Sequence, residues 1–306
     1  MKKWVFLFPG QGSQYVGMGR ELFENYAEVR ELFSHAGDIL QMDIEKLCFE
    51  GPEEVLVQTK NVQPAITVVN LACYTILQLH EIYPAAAAGH SLGEYSALYA
   101  AGVLNLKDLL NLVRWRGALM QEAAVKVPGS MAAIMDIELE KLQEICVECN
   151  AEVANVNSPD QLIVTGPTES VDKAMASSAN AGAKKCIKLN VSGPWHSRCM
   201  QIAQDKFEPV VSGCSFGEPI IPIVNNIDAC PLESAEAARQ KLLDQLCSPV
   251  LWLQSIKWLV DSGFEYFVEV GPKKVLRGLM RRIDRNVKVL NVEDPASLAA
   301  FLQANQ

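Results

Sequence analysis

The sequence is short of positive charge. Its 27 lysines and arginines stand against 36 acids, a formal net charge of −9. That balance argues against a general nucleic-acid binder and leaves only a local basic patch open. Histidine is scarce as well, with four in 306 residues: His35, His80, His90 and His196. Cysteine is present but not in a disulfide pattern. Nine residues is an odd number, and they are scattered from Cys48 to Cys247. Such usage reads as reduced thiols in a cytoplasmic protein. CVEC (146–149) has redox-motif spacing, but it lies in a leucine- and glutamate-rich helical stretch with no second pair. It reads as packed thiols, and no metal site is expected. The apolar run at the start, WVFLF, stops at Pro9 and Gly10. It is too short for a signal peptide core or a membrane span, so a buried first strand is expected and no membrane partner. Repeats and low-complexity tails are absent from the sequence.

What is present is a 49% hydrophobic chain, enough for one large domain with or without a smaller companion. KWVFLF (3–8) predicts a strand that runs into the glycine-rich loop PGQGSQYVGMG (9–19). Helices are predicted within 20–47, at 63–80, 94–102 and 106–124, with a short alanine-rich strand at 82–88. VPGS (127–130) then breaks the pattern. Between 131 and 193 the order reads β-α-β-β-α-β, the ferredoxin-like signature, with a threonine or serine cap expected on the 167–182 helix. Later strands are predicted at 221–227 and 266–271, and helices at 233–247, 252–262 and 273–283. The expected architecture is α/β. Residues 1–124 and 193–306 form a large unit, and 125–192 form a small ferredoxin-like insert.

GHSLG (89–93) places a serine between two glycines. One reading is a nucleophile elbow, in which Gly89 and Gly93 remove side chains where strand and helix crowd together. The other is an ordinary glycine-rich turn. An elbow serine needs a base. His90 is adjacent to Ser91 in sequence and would point away from it. His80 and His35 sit on helices and read as structural or surface residues. His196 lies in VSGPWHSRCM (191–200), a loop beside glycine and proline, and is the base candidate.

PGQGSQYVGMG (9–19), GHSLGEYSAL (89–98), WRGALMQ (115–121), NVNSPDQLIVTG (155–166), VSGPWHS (191–197), QLCSPVLW (245–252) and VEVGPKKVLRGL (268–279) occur in order along the whole chain. Together they resemble the malonyl-CoA:acyl carrier protein transacylase family, the acyltransferases of fatty acid and polyketide synthesis. The resemblance implies a large α/β-hydrolase-like domain carrying the inserted ferredoxin-like one. It implies that Ser91 carries the acyl group and His196 is its base, oriented by the backbone carbonyl of Gln245 in place of an acid. The N–H groups of Gln11 and Leu92 would form the oxyanion hole. Arg116 would pair with the free carboxylate of malonate. His90, Met120, Asn157 and Trp195 would line the pocket. Trp195 departs from the family, which more commonly has phenylalanine or a smaller residue there. Its larger ring would favour a small unbranched acyl group, or else it packs the domain junction.

The resemblance further implies malonyl-CoA and acyl carrier protein as partners, no cofactor, and a monomer. Carrier docking is expected on two basic stretches, at Lys184, Lys185 and Lys188 and at Lys273, Lys274 and Arg277, unless these are simply solvated faces. Other function classes fit less well. A serine hydrolase or esterase usually has its histidine near the C-terminus, and none follows position 196 here. A non-catalytic carrier-binding module should have lost Ser91, His196 or Arg116. A discrete polyketide acyltransferase or acyl hydrolase remains the nearest alternative.

Overall fold

The computed structural model describes residues 2–305. Its nine strands are β1 (Trp4–Phe8), β2 (Ala86–Gly89), β3 (Gly129–Met135), β4 (Glu152–Ser158), β5 (Gln161–Pro167), β6 (Lys185–Lys188), β7 (Ile223–Val224), β8 (Tyr266–Val270) and β9 (Lys288–Val292). They form a mixed α/β fold with two sheets. Five strands make a parallel sheet in the order β7-β2-β1-β8-β9. Four make an antiparallel sheet in the order β4-β5-β3-β6.

The parallel sheet is covered on both faces, which is why β1 reads as an unbroken apolar run rather than an alternation. Phe6 and Phe8 join the core built around the Thr59–Leu79 helix. Val5 and Leu7 point the other way, onto Trp252, Ile256, Leu259, Leu276 and Met280. The Thr59–Leu79 helix is long and apolar enough to cross a membrane, but 83% of its apolar window is buried in the fold.

In the antiparallel sheet the two faces have different fates. Ala132, Ile134 and Val164 pack under the helices Leu139–Cys149 and Thr168–Asn180. Met131, Ile163, Asn155 and Asn157 face a cavity between the sheets instead. The strand β4 is also tied to the rest of the chain through Val250, by hydrogen bonds from Val250 N to Ala154 O and from Val156 N to Val250 O.

Several expectations need correction. The strand expected at 184–193 stops at Lys188, and Leu189 and Val191 instead run along the cavity. The 221–227 strand shrinks to Ile223–Val224, because the Asn225 side chain folds the chain back by bonding Asp228 and Cys230. Pro167 occupies the N-cap of the Thr168–Asn180 helix with no side-chain cap bond, so the expected threonine or serine cap is absent. The edge strand β9 and the helix Pro295–Asn305 were not anticipated, since KVLNV is short and half polar.

The two glycines that flank Ser91 have a steric cause. The helix Gly93–Ala100 turns back so closely over β1 and β2 that a Cβ on Gly89 would overlap the Gly93 backbone, and one on Gly93 would overlap the Phe8 carbonyl. Gly89→Ala is therefore expected to cost more than about 4 kcal/mol, read as a collapse in melting temperature or soluble yield. Gly278→Ala is the control. It lies in the Val275–Ile283 helix with nothing near its missing Cβ, and should stabilise by about 0.5–1 kcal/mol. Equal losses at both sites would show that the close approach at Gly89 is not what matters.

Candidate active site

Ser91 sits between the end of β2 and the Gly93–Ala100 helix with φ of 50°. A serine held in this left-handed region is strained, and such strain gathers at functional sites. Asn226 pins the turn. Its Oδ1 accepts from Ser91 N at 2.7 Å and its Nδ2 donates to Gly89 O at 2.7 Å. The turn lifts the Ser91 hydroxyl into a cavity of about 210 Å³.

His196 enters the same cavity from the loop after β6, 105 residues away, with its Nε2 at 2.7 Å from Ser91 Oγ. Its Nδ1 is 3.0 Å from the carbonyl of Gln245. A carbonyl only accepts, so Nδ1 carries the proton of the neutral ring and Nε2 is free to receive the serine's. Burial first, and the Arg116 charge second, pull the His196 pKa down to about 3. The ring is thus an unprotonated base through the neutral range.

Arg116 reaches in from the helix Leu106–Lys126 and is 1% exposed. One terminal nitrogen donates to Gln63 Oε1 at 2.9 Å. The other donates to Gln245 Oε1 at 3.0 Å and to Ser91 Oγ at 3.2 Å. Its Nε has no partner, and the group lies over the Tyr95 ring at 5.4 Å. Among the described residues no carboxylate lies within ion-pairing distance of it. Buried charges are normally paired. This one faces a cavity and has donor capacity to spare, which suits an anionic group on an incoming molecule.

A hydroxyl, a neutral imidazole and a guanidinium with no carboxylate partner among the described residues thus share one cavity. The family model for the acyl transferase domain matches residues 5–303. The chain belongs to the acyl transferase family. The malonyl CoA-acyl carrier protein transacylase of Bacillus subtilis (strain 168) is 39% identical, covering 99% of this chain and 97% of that protein. The protein of the same name from Escherichia coli O157:H7 is also 39% identical, covering 99% and 100%. Among solved structures, the malonyl-CoA:acyl carrier protein transacylase of Xanthomonas oryzae pv. oryzae superposes with a TM-score of 0.95 at 40% identity, covering 99% of this chain and 98% of that one. A malonyl-transacylase in complex with its type II PKS acyl-carrier protein gives 0.96 at 38% identity, covering 99% and 100%.

In this acyl transferase the other expected pocket residues lie as follows. Gln11 and Leu92 both line the cavity. Neither backbone N–H bonds an acceptor among the described residues, so both are free to donate. His90 is half-buried beside Trp252, and its Nε2 is 2.8 Å from Asn157 Oδ1, away from the serine hydroxyl. Met120 accepts through its sulfur from Gln63 Nε2 at 3.3 Å. Trp195 is 5% exposed, and a side chain on Gly193 would run into its ring.

The basic stretches divide. Lys184 and Lys188, on or beside the edge strand β6, lie within ion-pairing distance of Asp136 and Asp172. Lys185 is exposed on the same strand, and none of the three lines the cavity. Lys273 Nζ reaches the carbonyl of Gly12 at 3.5 Å, and Lys274 faces Glu293 at 3.5 Å. Arg277 is turned away from the cavity and donates to Asn291 Oδ1 at 3.1 Å. The phase of the Val275–Ile283 helix is the cause. Gly278, Arg281, Arg282 and, past its end, Arg285 share the face that lines a groove continuous with the cavity through Gln161, Val275 and Leu279.

Four residues at the site were missed by sequence reading: Gln63, Glu94, Tyr95 and Asn226. The signal available was polarity inside apolar segments, as for Gln63 in QPAITVV and Asn226 in IVNNI. Glu94 is 2% exposed and accepts from Gln245 Nε2 at 2.6 Å and Asn226 N at 3.2 Å. Burial pushes its pKa up to about 7, against the pull of those two donors and of Arg116.

Proposed function

We propose that the chain transfers the malonyl group of malonyl-CoA to the phosphopantetheine thiol of an acyl carrier protein through a malonyl-Ser91 intermediate. The observation that carries this reading is the unpaired, buried Arg116 beside the Ser91–His196 pair. A thioester acyl group with a free carboxylate at its far end satisfies both at once.

The steps follow from the hydrogen bonds. His196 Nε2 takes the hydroxyl proton as Ser91 Oγ attacks the thioester carbonyl. The Gln245 carbonyl holds the imidazolium in place. The N–H groups of Gln11 and Leu92 donate to the tetrahedral oxyanion. The C–S bond breaks, and the coenzyme A sulfur leaves with the proton from His196. The carrier's thiol then enters the cavity, gives its proton to His196 and attacks the malonyl ester, and the ester C–O bond breaks as His196 returns the proton to Ser91 Oγ. Arg116 binds the malonate carboxylate in both halves through its planar fork and so selects diacid thioesters. Trp195, buried in the cavity wall, supports selection of a small, unbranched acyl group.

The framework reading is a ferredoxin-like insert at 125–192 in an α/β-hydrolase-like unit formed by 1–124 and 193–306. The strand order β4-β5-β3-β6 with two helices on one face supports the first, and the strand-turn-helix around Ser91 supports the second. The deciding experiment is intact mass after mixing the protein with malonyl-CoA. A malonyl adduct that acyl carrier protein removes supports transfer. Rapid release of free malonate with no transfer would make the chain a hydrolase.

Carrier docking is assigned to the rim of the Arg281, Arg282 and Arg285 groove, flanked by Lys273 and Lys274. A typically acidic carrier meeting a chain of net charge −9 needs a locally basic contact. Reversing Arg281 and Arg285 to glutamate should raise KM for the carrier by roughly five- to tenfold at low salt. Reversing Lys184 and Lys185 should do less, since Lys184 already faces Asp136. Added salt should shrink the wild-type advantage, because exposed charges are screened over about 10 Å at 0.1 M. Carrier kinetics unmoved by the arginine reversal would place docking on another surface.

A further inference from the structure

Gln245 is wholly buried and touches every member of the site. Its backbone carbonyl accepts from His196 Nδ1, its side-chain oxygen accepts from Arg116, and its side-chain nitrogen donates to the Ser91 carbonyl at 3.2 Å. A primary amide can sit two ways round. If this one were flipped, its NH₂ would face the guanidinium, two donors against each other, and Arg116 would lose the acceptor that aims it. Something must hold the amide with oxygen toward Arg116.

We propose that Glu94 is the positioning residue that fixes this orientation and so aims Arg116 at the acyl carboxylate. One oxygen of Glu94 takes the hydrogen bond from Gln245 Nε2 at 2.6 Å, the shortest contact that amide makes. The same oxygen takes the N–H of Asn226, whose side chain pins Ser91 and Gly89. The other Glu94 oxygen accepts no hydrogen bond among the described residues. Glu94 lies on the helix that follows the elbow, and it touches neither the Ser91 hydroxyl nor Arg116 directly. Its role is therefore transmitted through the amide. The role follows from acceptor geometry and does not require the carboxylate charge.

The proposal rests on the acyl-transfer reading above, and the test separates the two. Glu94→Gln removes the charge but can present an acceptor oxygen at the same reach. Glu94→Asp keeps the charge but withdraws the acceptor by one methylene. Glu94→Met removes the acceptor with little change in size and serves if the aspartate variant folds poorly. The readout is the ratio of kcat/KM for malonyl-CoA to that for acetyl-CoA, which has no carboxylate to be aimed at. Glu94→Gln should keep this ratio within about threefold, while Glu94→Asp and Glu94→Met should lower it about tenfold or more, the scale of a misdirected charged hydrogen bond. A purely structural glutamate would lower both substrates equally and leave the ratio unmoved. A counter-ion to Arg116 would make Glu94→Gln as harmful as Glu94→Met. Either result overturns the proposal. Failure of the acyl-transfer reading shows differently, as no adduct on wild-type Ser91. The Gln245 side-chain amide signal in NMR still decides the geometry in that case. It should shift in Glu94→Asp and hold in Glu94→Gln, and an unmoved signal in both would overturn the assignment.

Discussion

Ser91→Ala is expected to give a folded protein that takes up no acyl group from malonyl-CoA and turns over at least about 10⁴-fold more slowly. The fold should survive because the backbone already holds residue 91 at φ of 50° and the turn is pinned by Asn226 through main-chain atoms. Removing Oγ takes one acceptor from Arg116, which keeps those of Gln63 and Gln245. The chemistry has no substitute. Besides Ser91 Oγ at 2.7 Å, no hydroxyl or thiol is hydrogen-bonded to His196 among the described residues. Intact mass, with a thermal melt for folding, checks the expectation. An adduct of unchanged yield on the variant would remove Ser91 from the mechanism.

Arg116→Ala should lower kcat/KM for malonyl-CoA by about 2–5 kcal/mol, roughly thirty- to several-thousandfold, because a carboxylate would then be buried without a partner. Acetyl-CoA has no such group and should gain relative to malonyl-CoA. Equal losses with both would make the arginine structural. Arg114, exposed two residues away on the same helix, is the control and should leave the selectivity unchanged.

The same variant carries a pH signature. The base form of His196 is neutral, so a pKa near 3 keeps it competent well below neutral pH. Burial is the larger cause and stays in the variant, while the Arg116 charge is the second cause and goes. The acid limb of kcat/KM for acetyl-CoA should therefore move up in pH, yet stay below the ordinary histidine value of about 6.5. An acid limb that did not move would mean that the guanidinium charge is not felt at the imidazole. The same shift touches stability. Unfolded chain takes up a proton on this histidine below about 6.5 and the native site does not, so its contribution is lost as pH falls toward 3.

What the amino-acid order determined by itself was whatever neighbouring residues decide. The glycines of GHSLG are needed because a Cβ at either would strike backbone within a few residues or on the adjoining strand, a steric rule that the motif carries in five letters. The buried first strand and the β-α-β-β-α-β order were legible because side-chain period and chain order are local properties. His196 could be singled out because only four histidines exist, and Arg116 only because its segment resembled a family. Tertiary structure alone decided the rest. Glu94, Gln245 and Asn226 meet across 151 and 132 residues of sequence, and no periodicity announces such a meeting. The stretch with Lys273, Lys274 and Arg277 reads as one basic surface, yet the phase of its helix sends Arg277 to Asn291 and Arg281, Arg282 and Arg285 to the groove. Even the state of His196 as a neutral base is a tertiary fact. It is set by burial and by a charge from a helix 80 residues away, and both exist only once the chain has closed around them.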